Sequence, residues 1–192
     1  MLMDSTMSKN ENITAFILAG GQSSRMGTDK ALVLFKGKPM IQHVSDALMQ
    51  RFSNITIVSN HSAHQSLGLP VIKDAFDNIG PLGGIIAGLK HSETEQNFFI
   101  GCDMPLVQVE VLDKILQESI GSPNSLPCYQ GKTETLCSIL SKSSLPQLEQ
   151  AVSEKHYRLY DILLALQPQL VDVSHLCSFN PFANINTPED LQ

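Results

Sequence analysis

The residues best suited to chemistry in this chain are a glycine pair, two cations that follow it, and single aspartates closing short apolar runs. The first group lies in "LAGGQSSRMGTDK", residues 18–30. Gly20 and Gly21 can adopt backbone angles closed to other residues and let a bulky ligand approach the main chain. Successive N–H groups in such a turn form an anion nest. Arg25 adds a forked donor and Lys30 a movable point charge. Together these suit a polyphosphate; the plainer reading is a glycine turn with two surface cations. The string is neither of the common nucleotide loops. A Walker A loop needs four residues between its glycines and then Lys, whereas Gly21 and Gly27 are separated by five and Thr28 follows. A Rossmann fingerprint needs G-x-G, and these glycines are adjacent.

Asp103 in "FFIGCDMP" and Asp74 in "VIKD" each end an apolar run. A carboxylate at such a point can hold Mg²⁺, which takes few protein oxygens and leaves its other positions to water and phosphate. Asp103 could equally cap a helix starting near Val107. Asp74 could accept the N–H groups of a guanine, bind a ribose hydroxyl, or simply close a turn. The glycines of 80–84 would let a helix start come close to a ligand, with its positive end toward negative charge. His61 and His64 are spaced as a metal pair could be, but isolated loop histidines are the commoner reading.

Stepping outward, the elements that must carry these residues alternate. Apolar, β-branched runs at 13–18, 54–59, 70–74 and 97–102 read as strands. Between them, 39–52 reads as a helix with Pro39 in its first turn and Ile41, Val44, Leu48 and Phe52 on one stripe. Residues 80–91 and 107–119 read as further helices. Such alternation predicts parallel strands with right-handed crossovers, and hence an α/β fold: a three-layer α/β/α sandwich with a mostly parallel sheet. Ligands of such a sheet sit beyond the carboxyl ends of its strands, where Gly20 and Asp103 both fall. Further on, 126–141 reads as two antiparallel strands about a turn at Gly131, 144–155 and 159–167 as helices, and 170–174 as a closing strand. Thr187 and Pro188 carry helix-start signals. Residues 1–12 are polar and read as a flexible leader to a single domain over 13–192.

The formal net charge of -6 argues against nucleic acid and against an anionic membrane surface, since both require a basic face. A bound anion must therefore be held by locally placed cations or a metal. The four cysteines have no metal-like spacing and read as reduced thiols, and no apolar run is long enough to span a bilayer. The expected location is cytoplasmic.

The full string Leu18-Ala19-Gly20-Gly21, with Arg25, Met26 and Lys30, resembles the signature of the molybdenum cofactor guanylyltransferases, the MobA family of Rossmann-like nucleotidyltransferases. The paired glycines are similar to those of its GTP-using members; the related cytidylyltransferases have Ala-Gly. "GPLGG" and Asp103-Met104-Pro105 are also similar to family motifs, as is the "NINTPEDL" ending. The resemblance implies that Leu18, Ala19, Gly20, Gly21, Lys30, Asn60, Asp74, Gly80, Pro81 and Leu82 bind nucleotide. It also implies that Asp103 binds Mg²⁺, and that Arg25, Lys30 and Asp103 are catalytic. Asn184 and Asn186 would hydrogen-bond the second substrate. The implied substrates are GTP and molybdopterin, with a monomer making transient contact with cofactor carriers or client molybdoenzymes. Many relatives have His-Pro where this chain has Thr133-Glu134-Thr135, in a segment that would face the acceptor, so the resemblance fixes the acceptor less firmly than the nucleotide chemistry. The rival readings are a nucleotidyltransferase using CTP or a sugar-phosphate acceptor, and a non-catalytic nucleotide-binding regulator.

Overall fold

The computed structural model describes residues 9–20, 29–74, 76 and 79–185. Gly21, Arg25, Asn186 and the helix-start signals at Thr187 and Pro188 lie outside them. The chain begins with β1 (Asn10–Leu18), a 3₁₀ turn (Lys30–Leu32), the paired β2 (Leu34–Phe35) and β3 (Lys38–Pro39), and α1 (Met40–Leu48). Next come β4 (Phe52–Val58), a 3₁₀ segment (Ser62–Leu67), β5 (Val71–Ile72), α2 (Pro81–His91), β6 (Gln96–Gly101) and α3 (Val109–Glu118). The remainder is β7 (Asn124–Tyr129), β8 (Lys132–Thr133), β9 (Cys137–Ser141), α4 (Leu145–Ser153), α5 (Leu159–Ala165) and β10 (Gln169–Asp172).

The main sheet has the order β10-β7-β9-β6-β1-β4-β5, with β8 paired to β7. All neighbours along it are parallel except β9, which runs antiparallel to both β6 and β7. β1 is central because both of its faces are covered. Ala15 and Ile17 join Phe98, Ile100, Ile41, Val44, Val111 and Ile115 in one apolar layer. Phe16 and Leu18 join Phe99, Leu126, Ile85, Leu89, Leu148 and Ile162 in the other. Helices α1 and α3 thus cover one face and α2, α4 and α5 the opposite one, the expected three layers. A strand buried on both faces reads as an unbroken apolar run, which is why 13–18 lacks alternation.

Several boundaries differ from expectation, those of β1, α1 and β4 among them. β1 starts at Asn10, not Ile13: Asn10 N–H donates to Arg51 O at 2.7 Å, and the added residues are polar because they reach the sheet's margin. Pro39 precedes α1 at its N-cap position, and the helix stops at Leu48. Phe52 keeps the helical period but opens β4, stacking on Phe98 with ring centroids 5.1 Å apart.

The order of strands fixes the place of the site. From β1 the chain steps outward to β4 and β5, then returns through α2 to β6 on the other side of β1. That reversal opens a crevice at the carboxyl ends of β1 and β6. No helix among the described residues is long and apolar enough to cross a membrane.

Candidate active site

A cleft of about 260 Å³ occupies this crevice. Leu18, Ala19 and Gly20 enter from the end of β1, Val58 from β4, Asp74 from beyond β5, and Gly101, Cys102 and Asp103 from β6. Asp29, Lys30 and Ala31 contribute the 3₁₀ turn, Gly80, Pro81 and Gly84 the start of α2, and Leu136 the approach to β9. Residues separated by more than eighty positions in sequence therefore share one wall because five strand ends share one rim.

Lys30 and Asp103 form an ion pair across the cleft, Nζ to Oδ2, with side chains only 21% and 15% exposed. Asp29 sets the start of the lysine's turn: its Oδ1 accepts the Ala31 N–H at 3.1 Å. Asp74 Oδ1 accepts the Phe76 N–H at 3.0 Å. Three glycines surround the Asp74 carboxylate. A Cβ on Gly20 would stand 3.4 Å from Oδ2, and one on Gly84 would stand 3.8 Å away. A Cβ on Gly83 would overlap Oδ1 outright. Gly20 does not use the left-handed backbone region expected of it; its small size matters instead, keeping room beside Asp74. Gly80 does need glycine, at φ 64° and ψ -152°, and no side chain among the described residues caps the helix it begins.

Leu82 and Asn60 depart from their expected places. The Leu82 side chain is fully buried in the apolar layer beside Ile85 and Ile86, because its position on α2 points at the sheet. Asn60 is exposed outside the cleft, where its Oδ1 accepts the Asp74 N–H at 3.1 Å and so holds that backbone in place. Asn184 is half-buried, and its Oδ1 has no hydrogen-bond partner among the described residues. The next residue, Ile185, ties this segment to the site through its N–H, which donates to Asp103 O at 3.1 Å.

Burial pushes the Cys102 thiol up to about 12, with the Asp103 charge adding to the effect and Lys30 opposing it. This thiol beside the cleft is therefore no nucleophile at neutral pH. Beyond Leu136, Glu134 lines a second hollow with Tyr129, Lys132, Asn180 and Phe182. Burial raises the Glu134 carboxyl above its usual range and Asp103 adds to this, while the Leu136 and Thr135 amides pull it back.

The sequence pattern did not reveal the surroundings of Asp29. His64 is completely buried, with Nε2 2.8 Å from Asp29 Oδ2 and Nδ1 2.7 Å from Ser59 Oγ. His61 stands farther off, its Nδ1 3.9 Å from the same carboxylate oxygen. The two histidines thus flank an acid. A pair at this spacing in a loop gives no hint of that, since the acid lies over thirty residues upstream.

Among the described residues, no three His, Cys, Asp or Glu side chains converge as a metal cage. Asp103 and its neighbours can offer one or two carboxylates at a cleft with space for further ligands. That is the donor set Mg²⁺ accepts when phosphates complete its shell.

Comparison with known proteins agrees with this geometry. The model of the MobA-like NTP transferase domain matches residues 15–170. A molybdenum cofactor guanylyltransferase of Vibrio atlanticus is 36% identical over 180 residues, spanning 91% of each chain. One from Photobacterium profundum is 33% identical over 97% of each chain. Among solved structures, the molybdopterin-guanine dinucleotide biosynthesis protein A of Archaeoglobus fulgidus superposes with a TM-score of 0.76 at 26% identity, covering 93% of this chain and 94% of its own.

Proposed function

The chain belongs to the MobA-like NTP transferase family, and on that footing we propose that it is a guanylyltransferase joining GMP from GTP to molybdenum-bearing molybdopterin, with release of pyrophosphate. The observation that carries this reading is the convergence of Lys30, from the 3₁₀ turn, with Asp74 and Asp103, from the ends of β5 and β6, on one cleft.

In this reaction a terminal phosphate oxygen of molybdopterin attacks the α-phosphorus of GTP. The new P–O bond forms as the bond to the β-phosphate oxygen breaks, and the electron pair leaves with pyrophosphate. The attacking oxygen is already anionic, so no protein base is needed. What the protein must supply is position and countercharge. Lys30, which lines the cleft and pairs with Asp103, is the cation we assign to the triphosphate. The start of α2 adds a positive helix end at the same cleft. Asp74, held by Phe76 N–H and by Asn60, presents acceptors suited to guanine N–H groups or a ribose hydroxyl. Asp103 would hold Mg²⁺, which supplies charge neutralisation on the triphosphate when bound. Arg25, Gly21 and Asn186 belong to the same reading as phosphate and acceptor ligands. We take the enzyme to act as a cytoplasmic monomer; four free thiols suit a reducing compartment.

The test is pyrophosphate release with GTP, Mg²⁺ and molybdopterin. Asp103→Ala should lower turnover by about 10²-fold or more while the circular dichroism spectrum stays unchanged. Near-normal activity in that variant would count decisively against the assignment. Melting shifts with GTP, CTP, ATP and UTP measured side by side check the base. A larger shift with CTP would reassign the enzyme to the cytidylyl branch.

A further inference from the structure

His64 has no role in the reaction as described, yet it is the most deeply buried titratable ring near the cleft, with no measurable exposure. Burying an imidazole is costly unless its nitrogens find partners. Among the described residues these are Ser59 Oγ, 2.7 Å from Nδ1, and the Asp29 carboxylate, 2.8 Å from Nε2 and off the straight hydrogen-bond line. A carboxylate only accepts, so the Nε2 proton belongs on the side of Asp29.

Both partners are fixed. Ser59 continues the edge of β4, where its N–H donates to Ile72 O at 2.9 Å and its Oγ accepts the His61 N–H at 3.0 Å. Asp29 opens the turn that carries Lys30, accepting Ala31 N–H on Oδ1 while Leu32 N–H donates to its carbonyl at 3.0 Å. The row Ser59–His64–Asp29 has the composition of a hydrolytic triad. The serine is only 2% exposed, however, and no substrate reaches its hydroxyl. What the row can do is brace a turn. One end is tied to the sheet rim, and the other holds the carboxylate immediately before Lys30.

We propose that His64 is a positioning residue for nucleotide binding, acting through Asp29 to hold the Lys30 turn against the sheet rim. The inference deepens the functional reading above and rests on it. Among the described residues, the lysine's turn makes no ladder with the main sheet. The buried contact between His64 and Asp29 supplies a tie the backbone does not.

The experiment is a mutant cycle of His64→Phe, His64→Gln and Asp29→Asn. It is read by calorimetric Kd for GTP with Mg²⁺, by kcat and KM in the pyrophosphate assay, and by melting temperature. His64→Phe keeps the ring's volume but loses both polar contacts. It should weaken GTP binding and kcat/KM by about tenfold, since ångström-scale misplacement of a charged group costs up to about 10²-fold. His64→Gln keeps a donor toward Asp29 and should stay within about threefold of the parent. In the Asp29→Asn background, His64→Phe should add little further loss. Wild-type Kd and kcat/KM in folded His64→Phe would overturn the proposal, as would losses that multiply across the cycle. Should His64→Phe not fold, Ser59→Ala takes its place, with a smaller loss in the same direction and the same non-additivity expected. If the parent binds GTP but transfers no GMP, the functional reading fails while the Kd cycle still decides the role of His64. If none of GTP, CTP, ATP and UTP binds, both fall.

Discussion

At the scale of single residues, the cleft depends on side chains that are absent as much as on those present. Gly83 lies in the first turn of α2, where an added Cβ would overlap Asp74 Oδ1. Backbone on both sides is held, by Asn60 at Asp74 and by the helix at Gly83, so the carboxylate must swing away. Gly83→Ala should therefore weaken GTP binding by roughly tenfold with a melting temperature near the parent's, since a helix interior generally favours alanine over glycine. Unchanged affinity in a calorimetric titration would show that Asp74 takes no part in binding. The glycine run was legible in the sequence as a place of close approach. What approaches was not, because the partner is a carboxylate nine residues back rather than the ligand alone. Asp74, Asp103 and Lys30 were legible because each follows an apolar run or a glycine loop, and strand ends gather on one rim. Asp29 and His64 were not. Their meeting depends on how the 3₁₀ segment after β4 folds back, and no local period encodes it.

At the scale of elements, α2 lies against β1 and β6 through a glycine stripe. Phe16 and Phe99 stack beneath it, with centroids 5.2 Å apart and planes 16° from parallel. A Cβ on Gly88 would stand 2.7 Å from Phe99 Cε1 and 3.1 Å from Phe16 Cγ. Neither ring can yield, for both are fully buried. Gly88→Ala should thus destabilise the fold by about 1–3 kcal/mol despite alanine's better helix propensity, as overpacked cores do. Urea denaturation measures this directly, and a stabilised variant would mean that α2 stands off the sheet. Element types were largely readable, because β1 and β6 are apolar throughout and α1 carries a helical stripe. Boundaries failed where two patterns coincided, as at Phe52, which continues the stripe of α1 while serving β4. Pairing was the other blind spot. The turn at Gln130 and Gly131, both at positive φ, marks a hairpin of β7 and β8. β9 nevertheless leaves that hairpin to lie between β7 and β6, a choice made by long-range burial of Cys137, Ile139 and Leu140.

At the scale of the whole molecule, the two apolar layers that build the rim also bury its thiols, which gives alkaline pH a predictable effect on stability. Cys137 lies fully inside the sheet on β9, and burial holds its thiol well above the ordinary value of 9.0, with Glu134 adding to the effect. Cys102, at the end of β6, is pushed up to about 12 by burial and by Asp103. Both therefore keep their protons in the folded chain at a pH where the unfolded chain has released them. Above pH 9 the unfolded state binds fewer protons than the native one, so unfolding becomes more favourable as pH rises. The loss should begin near pH 9 and, for Cys102, run on toward 12. Each fully buried thiol contributes about 1.4 kcal/mol per pH unit within its window. Urea melts between pH 8 and 11 should accordingly show a downward slope that Cys137→Ala makes shallower, although the substitution lowers stability at pH 8. A slope identical in parent and variant would mean that water reaches β9 and that the sheet is not sealed on the face where α1 and α3 lie. The same seal carries Asp103 at its upper margin, so how dry the layer beneath the cleft is also bears on how strongly Lys30 and that carboxylate feel one another across it.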